Sequence, residues 1–164
     1  MENKALIVID LQVGVQPSNT PLYNLDNVIK GVNERIQVFR ELNYPIIFIQ
    51  HNDQELILNT KQWNLFSELD ARDTDIYINK THANSFYNTD LNAKLLELKI
   101  NTLEICGAQT EYCVDTTIRM AHGLGYSLYM KKGLTTTLNN DLLGAKTIIE
   151  HHEKLWNNRF LTFL

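Results

Sequence analysis

The feature that most constrains this chain is a set of short, wholly apolar runs that end abruptly at polar residues. Residues 5–9 and 46–49 contain only apolar side chains, and Asp10 and Gln50 follow them directly. A strand that is apolar at every position is buried on both faces, which is typical of central strands in a parallel sheet. The chain therefore favours an α/β fold over one whose sheet exposes a face to water.

Further apolar runs alternate with amphipathic segments along the chain. Strands are also predicted at residues 76–78, 103–106, 127–130 and 159–164. Helices are predicted where apolar residues recur every three or four positions, at 25–39, 90–101, 114–125 and 142–152. Segment 55–73 is less periodic, and Trp63, Phe66 and Leu69 suggest a short helix there. This alternation predicts one domain, residues 1–164, with a mostly parallel sheet and helices on both faces.

Composition and charge exclude several classes of function. The formal net charge is -4 and no Lys/Arg cluster stands out, so no nucleic-acid partner is expected. No apolar run is long enough to span a bilayer and residues 1–4 lack signal-peptide features, which predicts no membrane partner and a cytoplasmic location. The Gly-x-Gly-x-x-Gly fingerprint is absent after every predicted strand, which argues against a nicotinamide cofactor, and no cofactor is predicted.

Three reactive side chains follow predicted strands. Asp10 follows the first strand, Lys80 the third and Cys113 the fourth. Taken alone, Asp10 fits a turn, Lys80 a surface lysine and Cys113 an inert buried thiol. The carboxyl ends of parallel strands share one edge, where ligands bind, so the three together predict an active site.

The two cysteines have different predicted roles. They are too few for a disulfide scaffold, and their spacing does not match a zinc-ligand pair. Cys106 lies inside an apolar strand and is expected to be inert. Cys113 lies where a strand has ended and a helix begins, so free amide N–H groups and the helix dipole should favour its thiolate. Cys113 is therefore predicted to be a nucleophile of low pKa.

Three motifs make the chain resemble the isochorismatase-like cysteine hydrolase superfamily. They are residues 5–12 (Ala-Leu-Ile-Val-Ile-Asp-Leu-Gln), Asn79-Lys80 with Ser85-Phe86, and residues 106–114 (Cys-Gly-Ala-Gln-Thr-Glu-Tyr-Cys-Val). The resemblance implies a three-layer αβα, Rossmann-like sandwich whose six-stranded parallel sheet has the order 3-2-1-4-5-6. It also implies that Asp10, Lys80 and Cys113 form a catalytic triad.

The resemblance implies further details of the turn before the nucleophile. The superfamily carries a cis peptide there, which by position falls between Ala108 and Gln109. The backbone N–H groups of Gln109 and Cys113 would then form an oxyanion hole.

The implied activity is metal-independent cleavage of a C–N bond in a small amide-type substrate, through a thioester. One alternative is hydrolysis of a vinyl ether, as in true isochorismatases, which do not need the cysteine. Another is a catalytically silent member that acts as a binding protein. Members usually associate, so a homodimer or larger homo-oligomer is expected.

Several residues are candidates for contacts with a substrate or with a metal ion. Candidate substrate contacts are Gln12, His51, Trp63, Phe86 and Tyr112, and Trp63 also fits a core or dimer contact. Nicotinamidases of the superfamily bind a divalent ion through an Asp-x-His pair and a later His. Here the order is His51-x-Asp53, and the next histidine, His82, follows Lys80 rather than preceding it. No metal is therefore predicted.

Overall fold

The computed structural model describes residues 3–164, within which seven strands form one sheet; residues 1 and 2 of the predicted domain lie outside the described residues. The strands are β1 (Lys4–Ile9), β2 (Ile46–His51), β3 (Ile76–Lys80), β4 (Thr102–Ala108), β5 (Ser127–Met130), β6 (Thr135–Thr136) and β7 (Thr162–Phe163). All pairs of these strands are parallel. The parallel α/β class is therefore confirmed.

The strand order is β3-β2-β1-β4-β5-β7, which confirms the predicted order of the six main strands. The additional strand, β6, was not predicted, because its two threonines are not part of an apolar run. It pairs with the carboxyl end of β4, where Gly107 lies opposite Thr135 and Ala108 opposite Thr136. Lys80 is the last residue of β3 rather than the start of a loop.

Four α-helices connect the strands within the described part of the chain. They are α1 (Leu25–Glu41), α2 (Leu91–Glu97), α3 (Asp115–Gly123) and α4 (Ala145–Trp156). The predicted start of the last helix was early, because residues before Ala145 form turns and the Asn139 side chain accepts the Ala145 N–H at 2.8 Å. No helix among residues 3–164 has the length and apolar character to cross a bilayer.

The short helix predicted between Trp63 and Leu69 was wrong. That segment runs through turns, and Leu65 forms an isolated antiparallel bridge with Gln12. The Phe66 N–H donates to the carbonyl of Leu11 at 3.0 Å. Backbone pairing with Leu11 and Gln12, just after β1, therefore replaces helical hydrogen bonds in this loop.

The central strand shows why a parallel sheet needs continuous apolar runs. In β1, Ala5, Ile7 and Ile9 pack into one buried cluster, which also contains residues of α2, α3 and α4. Leu6 and Val8 point to the opposite face and join the cluster beneath α1. Because successive side chains of a strand alternate between faces, both helix layers draw their core from the same run. This packing fixes the carboxyl end of β1, and with it Asp10.

At Gly107, strand β4 approaches the backbone of β1 too closely to leave room for a side chain. The φ of Gly107 is +126°, and an added Cβ would lie 2.1 Å from the carbonyl oxygen of Ile9. Gly107→Ala is therefore expected to lower the free energy of unfolding by about 3 kcal/mol or more, measured by urea denaturation. Gly123→Ala is the control, since an added Cβ there meets nothing within 4 Å and its stability should be unchanged or slightly higher. Equal stability of the two variants would contradict this view of the strand contact.

Candidate active site

The three predicted reactive residues meet at the carboxyl edge of the sheet. Asp10 directly follows β1 and has a φ of +46°, a left-handed conformation that aspartate tolerates better than most residues. Lys80 ends β3. Cys113 lies in a π-helical turn, Thr110–Val114, between β4 and α3. Backbone geometry at three strand ends, rather than proximity in sequence, brings these side chains together.

Lys80 is the centre of the cluster. Its Nζ lies 2.6 Å from Asp10 Oδ2, 3.3 Å from Cys113 Sγ and 3.2 Å from His51 Nδ1. An ammonium group has three N–H donors, and these three partners account for all of them. The side chains of Lys80 and Asp10 are 0% and 3% exposed, so the ion pair is shielded from water.

Asp10 has the properties of a proton carrier. Burial raises the pKa of its carboxyl group, and the neighbouring Lys80 opposes part of that rise. Oδ2 accepts from Lys80, whereas the buried Oδ1 has no hydrogen-bond partner in the described part of the chain. A carboxylate with one buried oxygen free can take a proton from a neighbouring thiol or from a substrate.

The prediction of a low pKa for Cys113 was wrong for the resting site. The pKa of its thiol is raised to about 12, chiefly by burial and further by the negative charge of Asp10, although Lys80 opposes the rise. Helix position and a nearby ammonium favour a thiolate, but here desolvation and a carboxylate outweigh them. The resting group is therefore a thiol, which must lose its proton as it attacks.

This balance of charges makes a test of Asp10 possible without a substrate. Asp10→Asn removes the charge that disfavours the thiolate and leaves Lys80 in place, so the pKa of Cys113 should fall. The pH at which alkylation of Cys113 by iodoacetamide reaches half of its maximal rate is expected to be lower than in the wild type, because this midpoint follows the pKa of the thiol. Mass spectrometry measures the rate, and Cys113→Ala reports any background reaction at buried Cys106. A midpoint that is unchanged or higher in Asp10→Asn would contradict this account of the thiol.

The turn that carries Cys113 is closed by backbone hydrogen bonds and is tied to β6 at its first residue. The peptide bond between Ala108 and Gln109 is cis. The carbonyl of Gln109 accepts the N–H groups of Tyr112 and Val114, each at 3.2 Å. At the start of the turn, the Thr110 hydroxyl donates to Thr135 Oγ1 at 3.1 Å and lies 3.2 Å from the Thr136 carbonyl. The unpredicted strand β6 therefore holds the turn in place.

Two of the predicted pocket residues have structural roles instead. Gln12 is fully buried, its Nε2 donates to the carbonyls of His51 and Trp63, and its Oε1 accepts the His51 N–H. Both ends of this amide are thus engaged by the backbone. Phe86 is buried in the core cluster and stacks with Tyr126 at 6.1 Å between ring centroids. For a glutamine that follows a strand, or for a single aromatic residue, the sequence does not distinguish a structural role from a ligand contact.

The other candidates differ in exposure. Tyr112, which precedes the nucleophile, is 55% exposed. Trp63 is half-buried, and its indole Nε1 is a buried donor without a partner among residues 3–164. Sequence reasoning missed two similar groups, Glu111 Oε2 and Thr137 Oγ1, which are buried and unpaired. All three lie in segments that follow strands of the sheet, and either an ordered water or a ligand would satisfy such atoms.

The residues considered for a metal ion are paired in other ways. His51 Nε2 lies 3.2 Å from Asp53 Oδ2. His82 contacts the Thr81 hydroxyl at 2.9 Å and packs edge-on against Tyr87. Within the described residues, no group of three or more His, Cys, Asp and Glu side chains converges as metal ligands would.

The fold and the site together define a class of α/β proteins that gather a carboxylate, an ammonium and a thiol at the carboxyl edge of a parallel sheet. The family model of the isochorismatase domain matches residues 4–154. The isochorismatase family protein YddQ of Bacillus subtilis is 31% identical over 82% of this chain and 79% of its own. The chain belongs to the isochorismatase family of hydrolases.

Two further proteins are similar to this chain. A crystal structure of an isochorismatase family protein is 53% identical, covers 100% of this chain and 99% of its own, and superposes with a TM-score of 0.98. The ureidoacrylate amidohydrolase RutB of Agrobacterium fabrum is 30% identical over 79% of this chain and 51% of its own length. The family is thus shared with an enzyme named for acting on an amide.

Proposed function

We propose that this protein is a cysteine hydrolase that cleaves a C–N bond of a small amide-type substrate through a thioester, within one domain spanning residues 1–164. The observation that carries the proposal is the buried Lys80 ammonium, which contacts both Asp10 Oδ2 and Cys113 Sγ. A nucleophile, a proton carrier and a fixed positive charge are the parts that acyl transfer requires.

The first half of the reaction replaces the C–N bond with a C–S bond and carries the thiol proton, through Asp10, to the leaving nitrogen. The Cys113 thiol gives its proton to Asp10 as the sulfur attacks the acyl carbon, and Lys80 stabilises the sulfur while negative charge develops on it. The oxyanion of the tetrahedral intermediate binds to the backbone N–H groups of Gln109 and Cys113. The C–N bond then breaks, and Asp10 returns the proton to the nitrogen, so that ammonia or an amine leaves neutral.

The second half regenerates the thiol. Water gives a proton to Asp10 and attacks the thioester carbon, which forms a second tetrahedral intermediate in the same oxyanion hole. The C–S bond breaks to release a carboxylic acid, and Asp10 reprotonates the sulfur. The raised pKa of Asp10 suits a group that must accept and donate a proton in each turnover.

The high pKa of the resting thiol supports coupled proton transfer rather than a preformed thiolate. A thiol with a pKa of about 12 is almost fully protonated near neutral pH. Attack therefore requires the base to be in place, and Oδ1 of Asp10 is a buried acceptor that has no hydrogen-bond partner among residues 3–164. The amidohydrolase name of the relative RutB supports an amide as the substrate class.

A screen of small primary amides and ureido compounds tests the proposal. Ammonia release by the wild-type protein, with a mass adduct of the acyl group on Cys113, is the expected result. Hydrolysis that continues unchanged in Cys113→Ala would overturn the thioester route. Cleavage of a vinyl ether with no amide hydrolysed would favour the isochorismatase-type alternative.

A further inference from the structure

His51 contacts Lys80, although the sequence suggested a substrate contact or a metal ligand at this position. Its Nδ1 lies 3.2 Å from Lys80 Nζ, and its Nε2 lies 3.2 Å from Asp53 Oδ2. An ammonium group can only donate hydrogen bonds, so Nδ1 must be the acceptor. The ring proton is then on Nε2, where a carboxylate oxygen is in place to accept it. The two contacts require the same tautomer, which makes the arrangement self-consistent.

Hydrogen bonds fix both the backbone of His51 and the carboxylate of Asp53, which contacts its ring. The His51 N–H donates to Gln12 Oε1 at 2.8 Å, and the His51 carbonyl accepts from Gln12 Nε2 at 3.0 Å. Asp53 Oδ1 accepts the N–H groups of Glu55 and Leu56, each at 2.8 Å. Asp53 thus uses one oxygen for its own turn and offers the other to the imidazole. Gln12 therefore holds the backbone of His51 and Asp53 holds its ring, an arrangement that keeps the side chain rigid enough to position a neighbour.

We infer that His51 is a positioning residue for the proposed hydrolysis, because its Nδ1 accepts the third N–H of Lys80 and so directs the other two toward Asp10 and Cys113. Without this acceptor, a buried N–H would have no partner, and the ammonium would rotate or draw in water. Rotation about the Cε–Nζ bond would weaken the contacts to the sulfur and to the carboxylate together. The inference rests on the proposed function and adds a residue outside the triad.

Burial and the positive charge of Lys80 both favour the neutral form of His51. Burial lowers the pKa of the imidazole, and the ammonium of Lys80 lowers it further, while Asp10 and Asp53 oppose the shift. A lowered pKa means that the neutral, hydrogen-bond-accepting form persists below the usual pKa of 6.5. Protonation at lower pH would place two positive donors against each other and break the contact to Lys80.

Nitrogen NMR of the wild-type protein tests the contact directly, with the His51 signals assigned by their loss in His51→Asn. The expected signature is a protonated Nε2, an unprotonated Nδ1 and a titration below the usual histidine range. In Asp10→Asn/Lys80→Met, where Nδ1 has lost its donor, the titration should move up. A protonated Nδ1 in the wild type, or a pKa that the double variant does not change, overturns the inference.

A pair of matched variants tests the positioning role. His51→Asn places Oδ1 close to the position of Nδ1 and keeps an acceptor, whereas His51→Leu removes it. The turnover number should fall by about 10- to 100-fold in the leucine variant, the cost of a small misplacement of a catalytic group, and the asparagine variant should recover most of this loss. Equal losses overturn the role. If no amide is hydrolysed by the wild type, the function and the role both fail, while the NMR result still decides the contact.

Discussion

Cys113→Ala is expected to reduce amide hydrolysis at least about a thousandfold, because the variant cannot form the thioester and only water remains as a nucleophile. The residual rate would come from the oxyanion hole and from substrate binding. The substitution removes a sulfur that only partly packs against the core, so the fold should persist. Steady-state kinetics on a substrate from the amide screen, together with circular dichroism, measure both effects.

The control for this prediction is the second cysteine. Cys106 is 1% exposed in β4, and burial raises the pKa of its thiol far above the usual range. Cys106→Ala should therefore keep its catalytic constants near those of the wild type while losing some stability. If the two alanine variants lose activity equally, the assignment of the nucleophile is wrong.

Lys80→Met is expected to abolish activity and also to destabilise the protein. Lys80 Nζ is the hydrogen-bond partner of Asp10 Oδ2, and both side chains are almost fully buried. Removal of one partner leaves an uncompensated buried carboxylate, which costs about 3–5 kcal/mol of unfolding free energy. Chemical denaturation near neutral pH measures this loss.

The pH dependence of that loss has a definite sign. Burial already raises the pKa of Asp10 above its usual value of 3.8, and loss of Lys80 removes the largest opposing effect. A carboxyl group whose pKa is raised in the folded state destabilises the fold increasingly as pH rises from its unfolded pKa through its folded pKa. The variant should therefore recover stability relative to the wild type as the pH is lowered and Asp10 becomes neutral.

The double variant Asp10→Asn/Lys80→Met separates charge from packing. Both ionised groups are gone, so most of the stability lost in Lys80→Met should return, although activity should not. A double variant as unstable as the single one would show that methionine packs poorly at this position. In that case the charge argument for the single variant would fall.

The fold could be predicted because its signals are local. Residues 5–9 and 46–49 must be buried on both faces, and this requirement alone selects a parallel sheet with two helix layers. Strand β6 could not be predicted in the same way, since Thr135 and Thr136 form a strand only because the end of β4 offers them a partner. Likewise, residues 62–66 pair with residues 11–14, which follow β1, instead of forming the predicted helix.

The sequence by itself determined the class of fold and the three residues placed at strand ends, whereas the strand order was implied by the family resemblance. Only the tertiary structure decided their chemistry, because a pKa depends on groups that are far apart in sequence. Asp10 and Lys80 are separated by 70 positions yet lie 2.6 Å apart, and burial makes Cys113 a resting thiol rather than the predicted thiolate. The structure also assigned Gln12 to the scaffold and placed His51 against Lys80. Spacing along the chain identifies which groups can meet, whereas desolvation and charge in the assembled site set what each group does.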